Sequence, residues 1–96
     1  MLLQGLGIID FLHIDIQGSE LELLQNQIDW VSCNVRAMMI ATHSRAIEGK
    51  LIELLFDHHW QLHREKPCRV DWFKHCSLIG KTNVDGSQYW LNLKPL

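Results

Sequence analysis

One stretch constrains this chain more than any other: Phe11-Leu12-His13-Ile14-Asp15-Ile16-Gln17-Gly18-Ser19-Glu20. An apolar run stops at a carboxylate, turns on a glycine and enters a segment with helical spacing. That order reads as strand, turn, helix. In open α/β sheets, ligands and chemistry sit at the carboxyl ends of strands, where such turns lie. Asp15 is therefore the first candidate functional residue, with Gln17 and Glu20 beside it.

The flanking pattern extends the reading. From Ile8 to Ile16, apolar residues fall on both faces, with Ile8, Leu12, Ile14 and Ile16 on one and Ile9, Phe11 and His13 on the other. Such a strand is expected to be covered on both sides, as in parallel sheets. His13, in mid-strand, is expected to be a hydrogen-bonded core residue. Ser19 and Glu22 have capping-box spacing. Leu21, Leu24 and Ile28 follow at helical spacing, and Asn26 and Asp29 weaken the helix toward its end.

Val35 to Thr42 is a second strand by its length and its place between two helical patterns. Ser44 can cap the next helix, whose stripe is Ile47, Leu51, Leu54, Leu55 and His58. Trp60 to Glu65 reads as a third strand, Lys66 to Asn83 as irregular, and Ser87 to Leu93 as a last strand after an Asp85-Gly86 turn. The order is β-α-β-α-β-β. The strand–helix alternation implies right-handed parallel crossovers, and the last two strands can pair antiparallel. The expected fold is α/β: one small domain over residues 1–96, with a mixed sheet of about four strands and two principal helices.

Composition removes several function classes. The chain has 96 residues, 47% hydrophobic and 21% charged, with a net charge of −2. These values suit a globular chain rather than a disordered one. No basic run provides a footprint for nucleic acid. No apolar run approaches the roughly 18 residues that span a bilayer. Cys33, Cys68 and Cys76 are an odd number at irregular spacing, and read as reduced thiols of a cytoplasmic protein. His59 and His63, near Cys68, His75 and Cys76, lack metal-ligand spacing, so no metal site is expected. Trp60, Trp72, Trp90 and Tyr89 read as core or interface anchors.

The Asp15 segment resembles the I-D-x-x-G-x-E motif of FkbM-type methyltransferases, which use S-adenosylmethionine. Thr42-His43-Ser44-Arg45-Ala46-Ile47-Glu48-Gly49 resembles the T-H-S-x-x-x-E-G element of one subgroup. Asp85-Gly86-Ser87-Gln88-Tyr89-Trp90-Leu91-Asn92 resembles its closing D-G-x-Q-x-W-x-N. Three motifs in order are far more specific than one. The resemblance implies a class I, Rossmann-like methyltransferase sheet of order 3-2-1-4-5-7-6, of which this chain would supply strands 4 to 7. Only ten residues precede Phe11, so the chain is expected to begin inside a larger fold and to be its C-terminal half. Gly5-Leu6-Gly7 precedes a strand rather than following one, so it does not stand in for a glycine-rich cofactor turn.

The expected activity is transfer of a methyl group from S-adenosylmethionine to a hydroxyl of a sugar, glycan or polyketide. Asp15, His43 and Glu20 are the catalytic candidates, Gln17 and Thr42 the substrate-binding ones. Asp15 also faces the cofactor, and a missing N-terminal half would be a partner. On the residues alone, Asp15 and Ser19 can satisfy the first N–H groups of the helix, capping and catalysis weigh equally for Asp15, and His43 reads as a loop cap ahead of a catalytic group. The alternative function is a non-catalytic structural or interaction module, for example a homodimer joined along the first strand's edge.

Overall fold

The fold is that of a computed structural model, which describes residues 8–16, 18–70 and 82–93. The elements run β1 (Ile9–Ile14), α1 (Glu20–Asn34), β2 (Val35–Thr42), α2 (Arg45–Asp57), β3 (Trp60–Lys66), β4 (Arg69–Val70), β5 (Thr82–Val84) and β6 (Gly86–Asn92). Four strands form one mixed sheet in the order β1-β2-β6-β3. β1 and β2 are parallel, and β6 runs antiparallel to both β2 and β3. This is the order 4-5-7-6 that the family resemblance implies. β4 and β5 pair separately as a two-stranded antiparallel ladder, in a region that composition alone leaves irregular.

The sheet buries one face. Cross-strand partners Leu12, Met38, Trp90 and Leu62 lie in one row, and Ile14, Ile40 and Gln88 in the next. Against them pack Leu23, Leu24, Ile28 and Val31 of α1 and Leu51 and Leu55 of α2, in a single core with Trp60 and Trp90. The opposite face carries Phe11, 56% exposed, and Leu91, 38% exposed. The expectation that β1 is covered on both sides is therefore corrected. On that face Phe11 finds no covering layer among the described residues, whereas Ile9 is half-buried against the core. His13 is exposed rather than a core residue, because its position in the pleat points to that face.

Three local features depart from the sequence reading or refine it. Helix α1 continues through Asp29 to Asn34, since Ile28, Val31 and Ser32 prolong its buried stripe. The Asn34 amide donates to the Trp30 carbonyl at 2.8 Å, and the chain passes directly into β2 at the fully buried Val35. The Ser19–Glu22 capping box does not form: Ser19 holds the N-cap position without a side-chain hydrogen bond. At α2 the expectation holds, with the Ile47 N–H donating to Ser44 Oγ at 3.2 Å. That helix ends at His58, and His59 adopts φ 67° to turn the chain into β3.

Side-chain ties fasten the layers where polar groups are buried. Trp60 Nε1 donates to Ser32 Oγ at 3.0 Å, linking β3 to α1. Asn92 Nδ2 donates to the Ser32 and Val35 carbonyls at 2.8 and 2.7 Å. Trp90 Nε1 donates to Gln88 Oε1 at 3.1 Å, and Gln88 Nε2 donates to the Glu48 carbonyl at 3.2 Å. The tryptophans Trp60 and Trp90 are core anchors, each essentially fully buried. Trp72 lies outside the described residues.

Candidate active site

The topology brings three chain segments to one edge of the sheet. β1 and β2 are parallel, with Ile14 opposite Ile40, so the residues that follow them leave the sheet side by side. Asp15 follows β1 and His43 follows β2. β6 runs the other way, with Gly86 opposite Thr42, so its beginning lies at the same edge. Asp85, just before β6, is thereby placed beside His43.

The imidazole of His43 sits between carboxylates. Its Nδ1 is 3.0 Å from Asp85 Oδ1, and its Nε2 is 3.3 Å from Asp15 Oδ1 and 3.9 Å from Glu20 Oε2. The ring is mostly covered, whereas Asp15 and Asp85 are 44% and 65% exposed in their side chains. Burial of the ring disfavours its charge. Hydrogen bonds that the protonated ring donates to Asp85 and then Asp15, with the charges of Asp85 and Glu20, outweigh that and hold His43 above its ordinary 6.5.

Glu20 is built differently. It is 1% exposed, and its carboxylate folds back over the turn between β1 and α1. Oε2 accepts from the Ile16 N–H at 2.8 Å and Oε1 from the Gly18 N–H at 3.0 Å. Gly18 has φ 97°, a backbone conformation that glycine adopts at least cost. Glu20 thus shapes the turn that presents Asp15, while adding negative charge behind His43.

Of the sequence candidates, Asp15, Glu20 and His43 come together. Gln17 lies outside the described residues. Thr42 is 1% exposed, and its hydroxyl donates to Glu48 Oε2 at 2.6 Å. Its polar group is therefore committed to the interior rather than presented at the edge. Asp85 is the residue that sequence reasoning leaves in a turn. The signal lies in the topology: a last strand antiparallel to β2 must begin where β2 ends. The metal-capable donors that gather among the described residues are Asp15, Glu20 and His43, within 4.8 Å of one another. Each Glu20 oxygen also accepts one backbone N–H, and His43 Nε2 lies against Asp15. His75 and Cys76 lie outside the described residues.

Comparison with known proteins bears on this edge. The Methyltransferase FkbM domain matches residues 2–67, more than half of the chain. The chain belongs to the FkbM methyltransferase domain family. It is also 46% identical over 59 residues to a protein named "Putative methyltransferase" from Jannaschia sp. (strain CCS1). That alignment covers 62% of this chain but 21% of the relative, so the chain spans about a fifth of that protein's length. No solved structure matches. The matched FkbM region contains β1, α1, β2, α2 and β3, and with them Asp15, Glu20 and His43. No helix among the described residues is long and apolar enough to cross a membrane.

The FkbM assignment implies S-adenosylmethionine, and the donor set fits one end of it. Two partly exposed carboxylates and an imidazole suit the cationic end of that methyl donor. Among the described residues no glycine-rich turn follows a strand, so groups that would hold the nucleoside end are not part of this edge.

Proposed function

We propose that this chain is the C-terminal part of an S-adenosylmethionine-dependent O-methyltransferase acting on a hydroxyl of a sugar, glycan or polyketide. The observation that carries the reading is the placement of Asp15, His43 and Asp85 around one point at the sheet edge of an FkbM domain. When bound, S-adenosylmethionine supplies an electrophilic methyl group.

The chain's own residues supply position and proton acceptance. Methyl transfer to a hydroxyl is an in-line displacement that needs an aligned oxygen and a base. In its neutral form His43 keeps its proton on Nδ1, donated to Asp85, and Nε2 becomes the acceptor. The 3.3 Å contact between Nε2 and Asp15 is the longer of the two, and an acceptor hydroxyl replaces it most readily. Asp15 then orients that hydroxyl from the other side. The nucleoside-binding half comes from a longer parent chain or a separate subunit.

Calorimetric titration of the folded chain with S-adenosylmethionine, alone and with its missing half, tests the reading. It is followed by transfer of labelled methyl to sugar, glycan and polyketide acceptors. Asp15→Asn and His43→Ala are expected to lower turnover by about 10²–10⁴-fold with little loss of stability. Unchanged turnover in both contradicts the assigned roles. A second reading, a non-catalytic interaction module that pairs through β1, is favoured by that strand's place at the sheet edge and by the exposed Ile8 and Phe11. Absence of binding and transfer in the assembled protein, with a stable dimer of the chain, favours it.

A further inference from the structure

Two motif residues, Glu48 and Gly86, are not used by the chemistry above, yet the fold builds a buried knot around them. Glu48 is 4% exposed. Its Oε2 accepts from the Thr42 hydroxyl at 2.6 Å and from the Cys68 N–H at 2.7 Å, while Oε1 lies 3.5 Å from Arg45 Nε. Gly86 is pressed against the same atoms: a Cβ there would collide with the Cys68 nitrogen, Thr42 Oγ1 and Glu48 Oε2. Gln88 adds a tie from β6 to the Glu48 carbonyl. One carboxylate thus joins the end of β2, the start of α2, the segment after β3 and the start of β6.

The position of this knot gives it a consequence. Thr42 immediately precedes His43, and Gly86 immediately follows Asp85. The knot therefore sets where both residues leave the sheet. We infer that Glu48 is the positioning residue of the candidate site, holding Thr42 and Gly86 so that the Asp85 carboxylate meets the His43 imidazole. The inference deepens the proposed function and rests on it only for the catalytic consequence.

A simple burial role is separable from this one. Glutamine at position 48 keeps the volume but offers a single acceptor oxygen. Its NH₂ must then face either the Thr42 and Cys68 donors or the Arg45 guanidinium, so one corner of the knot opens. Asp15 from the end of β1, Glu20 from α1 and Asp85 from the start of β6 face the His43 ring. Of these, Asp85 is the one that moves with Gly86.

The experiment is an NMR titration of the His43 ring protons in the whole chain, which needs no methyl donor. Glu48→Gln is expected to lower the titration midpoint toward 6.5, and to lower it no further once Asp85→Asn is present. Asn92→Ala, at the opposite end of β6, removes another side-chain tie, a half-buried one, and serves as the control. It is expected to lower stability and leave His43 unmoved. Should Glu48→Gln fail to fold, Thr42→Val removes the hydroxyl donor alone and carries the same expectation. A His43 midpoint unchanged by these variants, or moved as far by Asn92→Ala, overturns the inference. A wild-type midpoint at 6.5 that ignores Asp85→Asn would instead sink the site itself.

Discussion

His43 Nδ1 lies 3.0 Å from Asp85 Oδ1, so the imidazole that follows β2 is held by a carboxylate from the start of β6. This contact fixes a direction for pH dependence. The raised His43 value means that the fold favours the protonated ring. Its contribution to stability is complete below the unfolded value of 6.5, and is lost as pH rises through the folded value. We expect the urea midpoint to fall as pH rises above 6.5 and through the raised His43 value, and Asp85→Asn to flatten that fall. The base form appears only above the raised value, so methyl transfer should rise with pH there, and Asp85→Asn should move the rise to lower pH.

Glu20 is expected to matter more to the turn than Ser19. Removing the Glu20 carboxylate leaves the Ile16 and Gly18 N–H groups without their acceptor. Glu20→Ala should cost about 1–3 kcal/mol, read from urea denaturation. Ser19 makes no side-chain cap, so Ser19→Ala should fall well short of the roughly 1 kcal/mol that a working N-cap supplies.

The glycine of this turn is a backbone requirement rather than a packing one. At Gly18 φ is +97° and nothing lies within 4 Å of an added Cβ. Gly18→Ala should cost about 1–2 kcal/mol, and Gly18→Asn less, by the same denaturation measurement. A neutral alanine would contradict the left-handed turn.

The thiols should differ sharply in reactivity. Cys33 is exposed and Cys68 is buried. Burial first, and then the Glu48 carboxylate, push the Cys68 thiol up to about 11. Since the thiolate is the reactive form, alkylation of the folded chain near pH 8, followed by peptide mapping, should label Cys33 and spare Cys68. Equal labelling would show the Glu48 knot to be open.

Much of the fold was legible because its signals are local. β2 runs from Val35 to Thr42 as its length and its place between two helical patterns imply, and Ser44 caps α2 as a serine before a helical stripe should. The failures come from information that lies elsewhere in space. Apolar residues on both faces of β1 show what that strand could bury, not whether a second layer is present. The Ser19–Glu22 spacing fits a capping box, but Glu20 reaches the turn's N–H groups first. Asp15 and His43 were visible as polar residues at strand ends, and Glu20 as a polar residue one turn further on. Asp85 was not, because its place depends on β6 pairing antiparallel to β2, about forty residues away in sequence.

The most direct test of the account is the titration of the His43 ring in the wild-type chain and in Asp85→Asn, followed by NMR. Convergence of β1, β2 and β6 on one imidazole predicts a wild-type midpoint above 6.5 that falls in the variant. A midpoint at 6.5 in both would show that Asp85 does not reach the ring, and would contradict the site.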